Sequence, residues 1–160
     1  DRYPDLVHGV AALNGIFQRD TAAKDAVLAR AASLDGKTMA DPTATLLRWF
    51  DAAPSAARDA CQEWLCGVDP VGYRDAYRVF AAQDGPSGQA LENLRCPALF
   101  LTGEDEPNST PQMSQRMAAL APKGTSIVLK KAAHMLPMTH ATQVTEILET
   151  FIRDTQIDTN

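Results

Sequence analysis

With 160 residues, 45% of them hydrophobic and 22% charged, the chain is long enough for one domain with its own apolar core and is not of disordered composition. A net charge of −5 argues against a nucleic-acid partner, which would require a basic face. No apolar run of about 18 residues is present to span a membrane, and the start "DRYPDLV" lacks the basic-then-apolar order of a signal peptide.

In chain order, "LVHGVAALN" (6–14) is a compact apolar run closed by Gly15 and reads as a buried strand, with His8 as a surface or edge imidazole near its start. The pattern then turns helical. "TAAKDAVLARAASLDG" offers Thr21 as an N-cap and Gly36 as a stop. "DPTATLLRWFD" places Asp41 before Pro42, the cap-then-proline order of a helix start, and "SAARDACQEWLCGV" opens on a serine. "DPVGYRDAYRVFAAQDG" repeats the Asp-Pro opening and ends at Gly85. Four short helices with no strand between them read as an insertion, residues 21–93, between the core segments 1–20 and 94–160.

After it, "PALFLTG" (97–103) is a second apolar strand ending in glycine. "STPQMSQRMAALAP" is a helix capped by Ser109 or Thr110, with Met113, Met117 and Leu120 on one face. "TSIVLKK" is a third strand, rich in β-branched residues. "THATQVTEILETFIRD" closes the chain as a helix with Val144, Ile147, Leu148 and Phe151 as its apolar stripe, and the tail "TQIDTN" is expected to fray. Strands alternating with helices imply a parallel sheet, whose ligands sit at the carboxyl ends of the strands. Two charged features fall at such ends: "EDE" (104–106) and His134.

A carboxylate beside an imidazole fixes its tautomer and stabilises the imidazolium, and is the base half of a nucleophilic triad. The same residues also read as a histidine at a strand end and a solvated acidic loop. His140, at the start of the last helix, reads as a capping or surface residue. Cys61, Cys66 and Cys96 form no regular framework, which suits a reducing cytoplasm, and no metal-ligand spacing occurs, so neither metal nor other cofactor is expected.

"CPALFLTGEDEPNSTPQMSQRMAALAP" followed by "TSIVLKKAAHMLPMTHATQVTEILETFI" resembles the last two βα units of the α/β-hydrolase fold, and "YPDLVHGVAALNG" resembles the segment leading into its sixth strand. The resemblance implies the C-terminal half of an α/β-hydrolase parallel sheet flanked by helices, with residues 21–93 as an all-helical lid. It implies His134 as general base and Glu106, at the Gly103-x-x-acid position, as its acid, with Asp105 as competitor. No Gly-x-Ser-x-Gly elbow is present; the nearest stretch, "GPSGQ" with Ser87, reads as a loop serine.

The expectation is therefore a serine-type hydrolase of small ester, lactone-like or related carbonyl substrates, represented by a C-terminal portion. That portion would be inactive until joined by the missing N-terminal part of the same protein. Phe17, Trp49, Trp64, Tyr73, Tyr77, Phe80 and Met135 are its candidate substrate-binding residues, forming a largely apolar pocket. The exposed sheet edges of a half-fold would favour homo-oligomers. A hydrolase-like binding module without catalysis is the alternative.

Overall fold

The computed structural model describes residues 3–39, 41–50 and 53–157, the side chains of 156 and 157 excepted. The chain divides into two units: Asp1–Phe17 with Gly85–Asn160, and Gln18–Asp84. Residues 85–93, grouped with the helical insertion on sequence, thus belong to the unit that holds the sheet.

The sheet unit has three parallel strands, β1 (Val10–Leu13), β2 (Ala98–Gly103) and β3 (Gly124–Leu129), in the order β1-β2-β3. Val10 aligns with Ala98 across β1 and β2, and Ala98 with Gly124 across β2 and β3. All six residues of β2 are buried, as expected of a strand paired on both edges and covered on both faces. Alternate side chains of β2 enter opposite layers. Ala98 and Phe100 pack with Phe17, Leu91, Met117 and Ala121, whereas Leu101 packs with Leu129, Ala132, Leu136 and Val144.

Helices supply those layers. Under the first lie α5 (Gly88–Glu92) and α6 (Pro111–Leu120), with Met113 and Leu120 partly buried against the cluster as the sequence stripe implies. Under the second lie α7 (Leu136–Thr139) and α8 (Ala141–Ile157), where Ile147 and Leu148 flank Val144. Thr110 rather than Ser109 caps α6, its hydroxyl accepting from the Met113 N–H. Helix α8 runs through Thr155 to Ile157, where fraying was expected; residues 158–160 lie outside the described residues.

Two local readings are corrected. The run at 6–14 is a strand only from Val10: Pro4–Leu6 is a 3-10 turn, and Leu6 is 77% exposed, so its apolar character marks no core face. Ser87 does not sit in a featureless loop; its hydroxyl accepts from the Ala90 N–H and caps α5, a helix the sequence reading passed over. Helix α7 lies ahead of the last helix read from the sequence and was not anticipated.

The helical unit holds α1 (Thr21–Ser33), α2 (Thr43–Trp49), α3 (Ala56–Gly67) and α4 (Pro70–Ala82), with no strand among its described residues. Helix α1 packs on α4, and α2 on α3. The cap of α1 is Asp20, whose carboxylate accepts from the Ala23 N–H, not Thr21. Ser55 and Asp69 cap α3 and α4 in the same way. Asp41 accepts from both the Thr43 N–H and hydroxyl, holding the first turn of α2 from one residue outside it.

Candidate active site

Strands β2 and β3 end side by side, Gly103 aligned with Leu129. The chain leaving β2 stays pinned to the chain leaving β3. The Glu104 N–H donates to the Leu129 carbonyl at 2.8 Å and the Asp105 N–H to the Ala132 carbonyl at 2.9 Å. Lys131, in the left-handed region at φ 55°, turns the second loop back toward the first, and its N–H donates to the Glu104 carboxylate. This brings His134 to Glu106.

Glu106 Oε2 lies 2.7 Å from His134 Nδ1. Glu106 is 2% exposed, and its other oxygen accepts from the Asn108 N–H at 2.8 Å and the Ser109 N–H at 3.3 Å. Burial pushes its carboxyl up, but the His134 hydrogen bond and charge and the two backbone N–H groups outweigh it and hold the group below the ordinary carboxylate value. An ionised carboxylate only accepts, so the Nδ1 proton belongs to the imidazole and the neutral ring is basic at Nε2. The His134 ring is half-buried.

A residue the sequence reading missed braces this pair. Asn14, just past β1, has φ 49°; its side-chain amide donates to the His134 carbonyl at 2.6 Å, and its backbone N–H donates to the Leu101 carbonyl. The Thr102 hydroxyl, buried in β2, shares its one proton between the Ser109 carbonyl and the Asn14 amide oxygen. The acid loop, the histidine loop and the end of β1 are thus joined by one polar network. Its signal in the sequence is the Asn14-Gly15 pair, a residue type that tolerates left-handed backbone followed by glycine.

The other candidates divide plainly. Asp105 and Glu104 are exposed. Replacing Asp105 by asparagine is expected to change kcat/KM of the full-length protein by less than about twofold, the range of an ordinary surface substitution; steady-state ester hydrolysis checks this. Met135 adjoins the histidine, and its carbonyl accepts the first N–H bonds of α7. Phe17 is 1% exposed and packs in the sheet unit's core. Trp49, Trp64, Tyr73, Tyr77 and Phe80 lie in the helical unit. Tyr73 and Tyr77 have ring centroids 6.0 Å apart, Tyr77 and Phe80 meet edge to face at 5.6 Å, and Trp64 is 61% exposed. His140 precedes α8, with its Nδ1 2.9 Å from the Thr139 hydroxyl.

Gly103 shows how tightly the two loops meet. A Cβ there would overlap the Ala132 carbonyl oxygen, the acceptor of the Asp105 N–H. Gly103→Ala is expected to destabilise the protein by roughly 3 kcal/mol, at the upper end of overpacking costs. It should also lower activity by displacing the acid loop; denaturant unfolding and ester hydrolysis on the same sample measure both.

The chain is 38% identical over 154 residues to (E)-2-((N-methylformamido)methylene)succinate hydrolase of Acinetobacter baylyi, covering 95% of this chain and 58% of that protein. Its structure is similar to a thermophilic esterase from Thermogutta terrifontis, with a TM-score of 0.79 at 21% identity, over 96% of this chain and 58% of the esterase. It is similar also to the enol-lactonase from Burkholderia xenovorans, with a TM-score of 0.78 at 20% identity, over 95% and 58% of the two chains. These structural likenesses carry the fold, and the chain spans somewhat more than half the length of each relative. The profile of the alpha/beta hydrolase family matches residues 2–147. With most of its length matched, and its sheet and strand-end loops arranged as described, the chain belongs to the alpha/beta hydrolase family.

Proposed function

We propose that the chain supplies the acid–base half of a serine-type hydrolase acting on small ester, lactone or related carbonyl substrates, with Glu106 as the acid and His134 as the base. The observation that carries this reading is the 2.7 Å contact between a buried, ionised Glu106 and His134 Nδ1, at the carboxyl ends of two adjacent parallel strands. The Acinetobacter relative, itself named a hydrolase of a substituted methylenesuccinate, supports turnover over simple binding. The nucleophile and the oxyanion-hole donors come, in this proposal, from a segment outside this chain.

His134 Nε2 would take the proton of a serine hydroxyl as its oxygen attacks the carbonyl carbon. It would then pass that proton to the leaving group, giving the acyl-enzyme and free alcohol or amine. In the second half Nε2 takes a proton from water as its oxygen attacks the acyl carbon, then returns that proton to the departing serine oxygen, which releases the acid product and restores the neutral imidazole. Substrate choice is assigned to Trp49, Trp64, Tyr73, Tyr77 and Phe80 of the helical unit, and in the sheet unit Met135 adjoins the base. The cysteine content supports a reducing, cytoplasmic setting. No helix of the described residues is long and apolar enough to cross a membrane.

The test is turnover of a panel of small esters, lactones and N-acyl compounds by the full-length protein. Hydrolysis that saturates with substrate supports the reading. Saturable binding of the same compounds without any product would overturn it in favour of a binding module.

A further inference from the structure

The three strands of the sheet unit end in a row, and one side chain spans that row. Leu13 aligns with Leu101, and Gly103 with Leu129, so the residue after β1 arrives beside Thr102 and the loop that follows β3. Asn14 fills that position at φ 49°, in the left-handed region that asparagine tolerates better than most residues. A glycine would make the same turn without strain; what asparagine adds is its amide. The His134 carbonyl 2.6 Å away can only accept, so the atom facing it is the amide nitrogen. The amide oxygen then faces the Thr102 hydroxyl at 3.2 Å. Thr102 is fully buried, where a valine of the same shape would need no partner, and its hydroxyl also reaches the Ser109 carbonyl at 2.8 Å.

The contact that this amide can govern is the one between His134 and Glu106. Glu106 is fixed within its own loop, where the Asn108 and Ser109 N–H groups hold one oxygen and burial seals the side chain. The imidazole is only half-buried, so it is the partner with room to move. A peptide unit is planar, so fixing the direction of the His134 carbonyl constrains the backbone torsion that aims the Cα–Cβ bond of the same residue. From that bond the ring has only two side-chain torsions with which to place Nδ1 at 2.7 Å from Glu106. A hydrogen bond of that length weakens steeply once it is misaligned.

We propose that Asn14 is a positioning residue of this site: ordered by Thr102, its amide holds the His134 main chain so that the ring keeps Nδ1 on Glu106. As a statement about rate, this rests on the hydrolase reading. As a statement about the geometry of the pair, it can be tested without turnover.

The experiment makes Asn14→Gly in the full-length protein, which keeps the left-handed turn and removes the amide. Long-range proton–nitrogen NMR correlation in alkaline solution, without substrate, reads which imidazole nitrogen carries the proton; the His134 signals are those absent from His134→Ala. The wild type is expected to hold the proton on Nδ1, and Asn14→Gly to show the averaged pattern of an imidazole without a fixed partner. In ester hydrolysis kcat should fall on the order of 10- to 100-fold with KM nearly unchanged, the range set by displacing a reacting group by about 1 Å. Thr102→Val should move both readouts in the same direction, and Thr102→Ser, which keeps the hydroxyl, should restore them. Leu91→Ala, a change in the core of the sheet unit, should lower the denaturation midpoint and leave the proton on Nδ1. A wild-type pattern in Asn14→Gly, however far its stability falls, or a wild type whose Nδ1 carries no proton, would overturn the proposal. Should Asn14→Gly fail to fold, Thr102→Val against Thr102→Ser decides by the same criterion. Turnover separates the two ideas: a displaced proton in Asn14→Gly beside a wild type that hydrolyses no ester sinks the hydrolase reading alone. Ester turnover with kcat and proton position both unmoved by Asn14→Gly sinks only the positioning role.

Discussion

Replacing His134 by alanine is expected to lower kcat for ester hydrolysis by the full-length protein by on the order of 10^4 to 10^6-fold, with KM nearly unchanged. The loss falls on kcat because the imidazole acts on the proton in flight and contributes little to ground-state binding. The fold should survive. The His134 ring is half-buried, and the tie to Asn14 runs through the His134 backbone carbonyl, which alanine retains. Circular dichroism and the denaturation midpoint of the variant serve as the control. Steady-state kinetics with a chromogenic ester give the measurement.

Glu106→Gln should cost about 10^4-fold in kcat, because an amide can donate to Nδ1 and so favours the tautomer with its proton on Nε2, where the base must be free. It should also change the acid limb of stability. The folded carboxyl of Glu106 lies below its ordinary value, so the unfolded chain binds the proton more readily. The contribution of Glu106 is therefore fully present above the unfolded value, about pH 4.3. It is lost as pH falls through the lower folded value. Unfolding free energy of the wild type should fall over that acid window more steeply than that of Glu106→Gln, and the two curves should approach one another at the acid end. Denaturant titrations at a series of pH values give both curves; parallel curves would mean that Glu106 is not held ionised by its neighbours.

The two effects differ in where they act. His134 does its work in the transition state, so its removal appears in rate. Glu106 sits at the meeting point of two loops and accepts from two backbone N–H groups as well as the ring. Its replacement therefore touches both rate and folding. A variant series that moved only one quantity at both positions would contradict the division of labour drawn from the geometry.

The legible parts of the sequence were those in which one physical demand dominates. "PALFLTG" announced β2 because a strand covered on both faces needs an unbroken apolar run, and all six strand residues are buried. The stripe Val144, Ile147 and Leu148 announced α8 because a surface helix needs one apolar face. The acidic loop 104–106 and His134 were legible as neighbours because parallel strands bring their carboxyl ends together, and the resemblance to the α/β-hydrolase fold singled out Glu106 within that loop.

What escaped had weaker local signals. Leu6 and Val7 looked like core and are exposed, since composition cannot say what lies opposite a side chain. Helices α5 and α7, of five and four residues, are too short to show a period. The resemblance favoured Glu106 and left Asp105 as its competitor, and the backbone bond that ties Asp105 to Ala132 is not written in sequence spacing. Asn14 acts on His134 across 120 positions of sequence through a left-handed turn, and only the fold brings them together.

The most direct test of the central claim is the rate at which a serine-directed fluorophosphonate labels the full-length protein, followed by intact mass. The account predicts stoichiometric labelling of a single serine outside these 160 residues, slowed at least a thousandfold in His134→Ala, on the order of the loss expected when a triad base is removed. Labelling that proceeds equally well without His134, or no labelling of a folded full-length protein, would contradict the assignment of His134 and Glu106 as the base half of a nucleophilic triad.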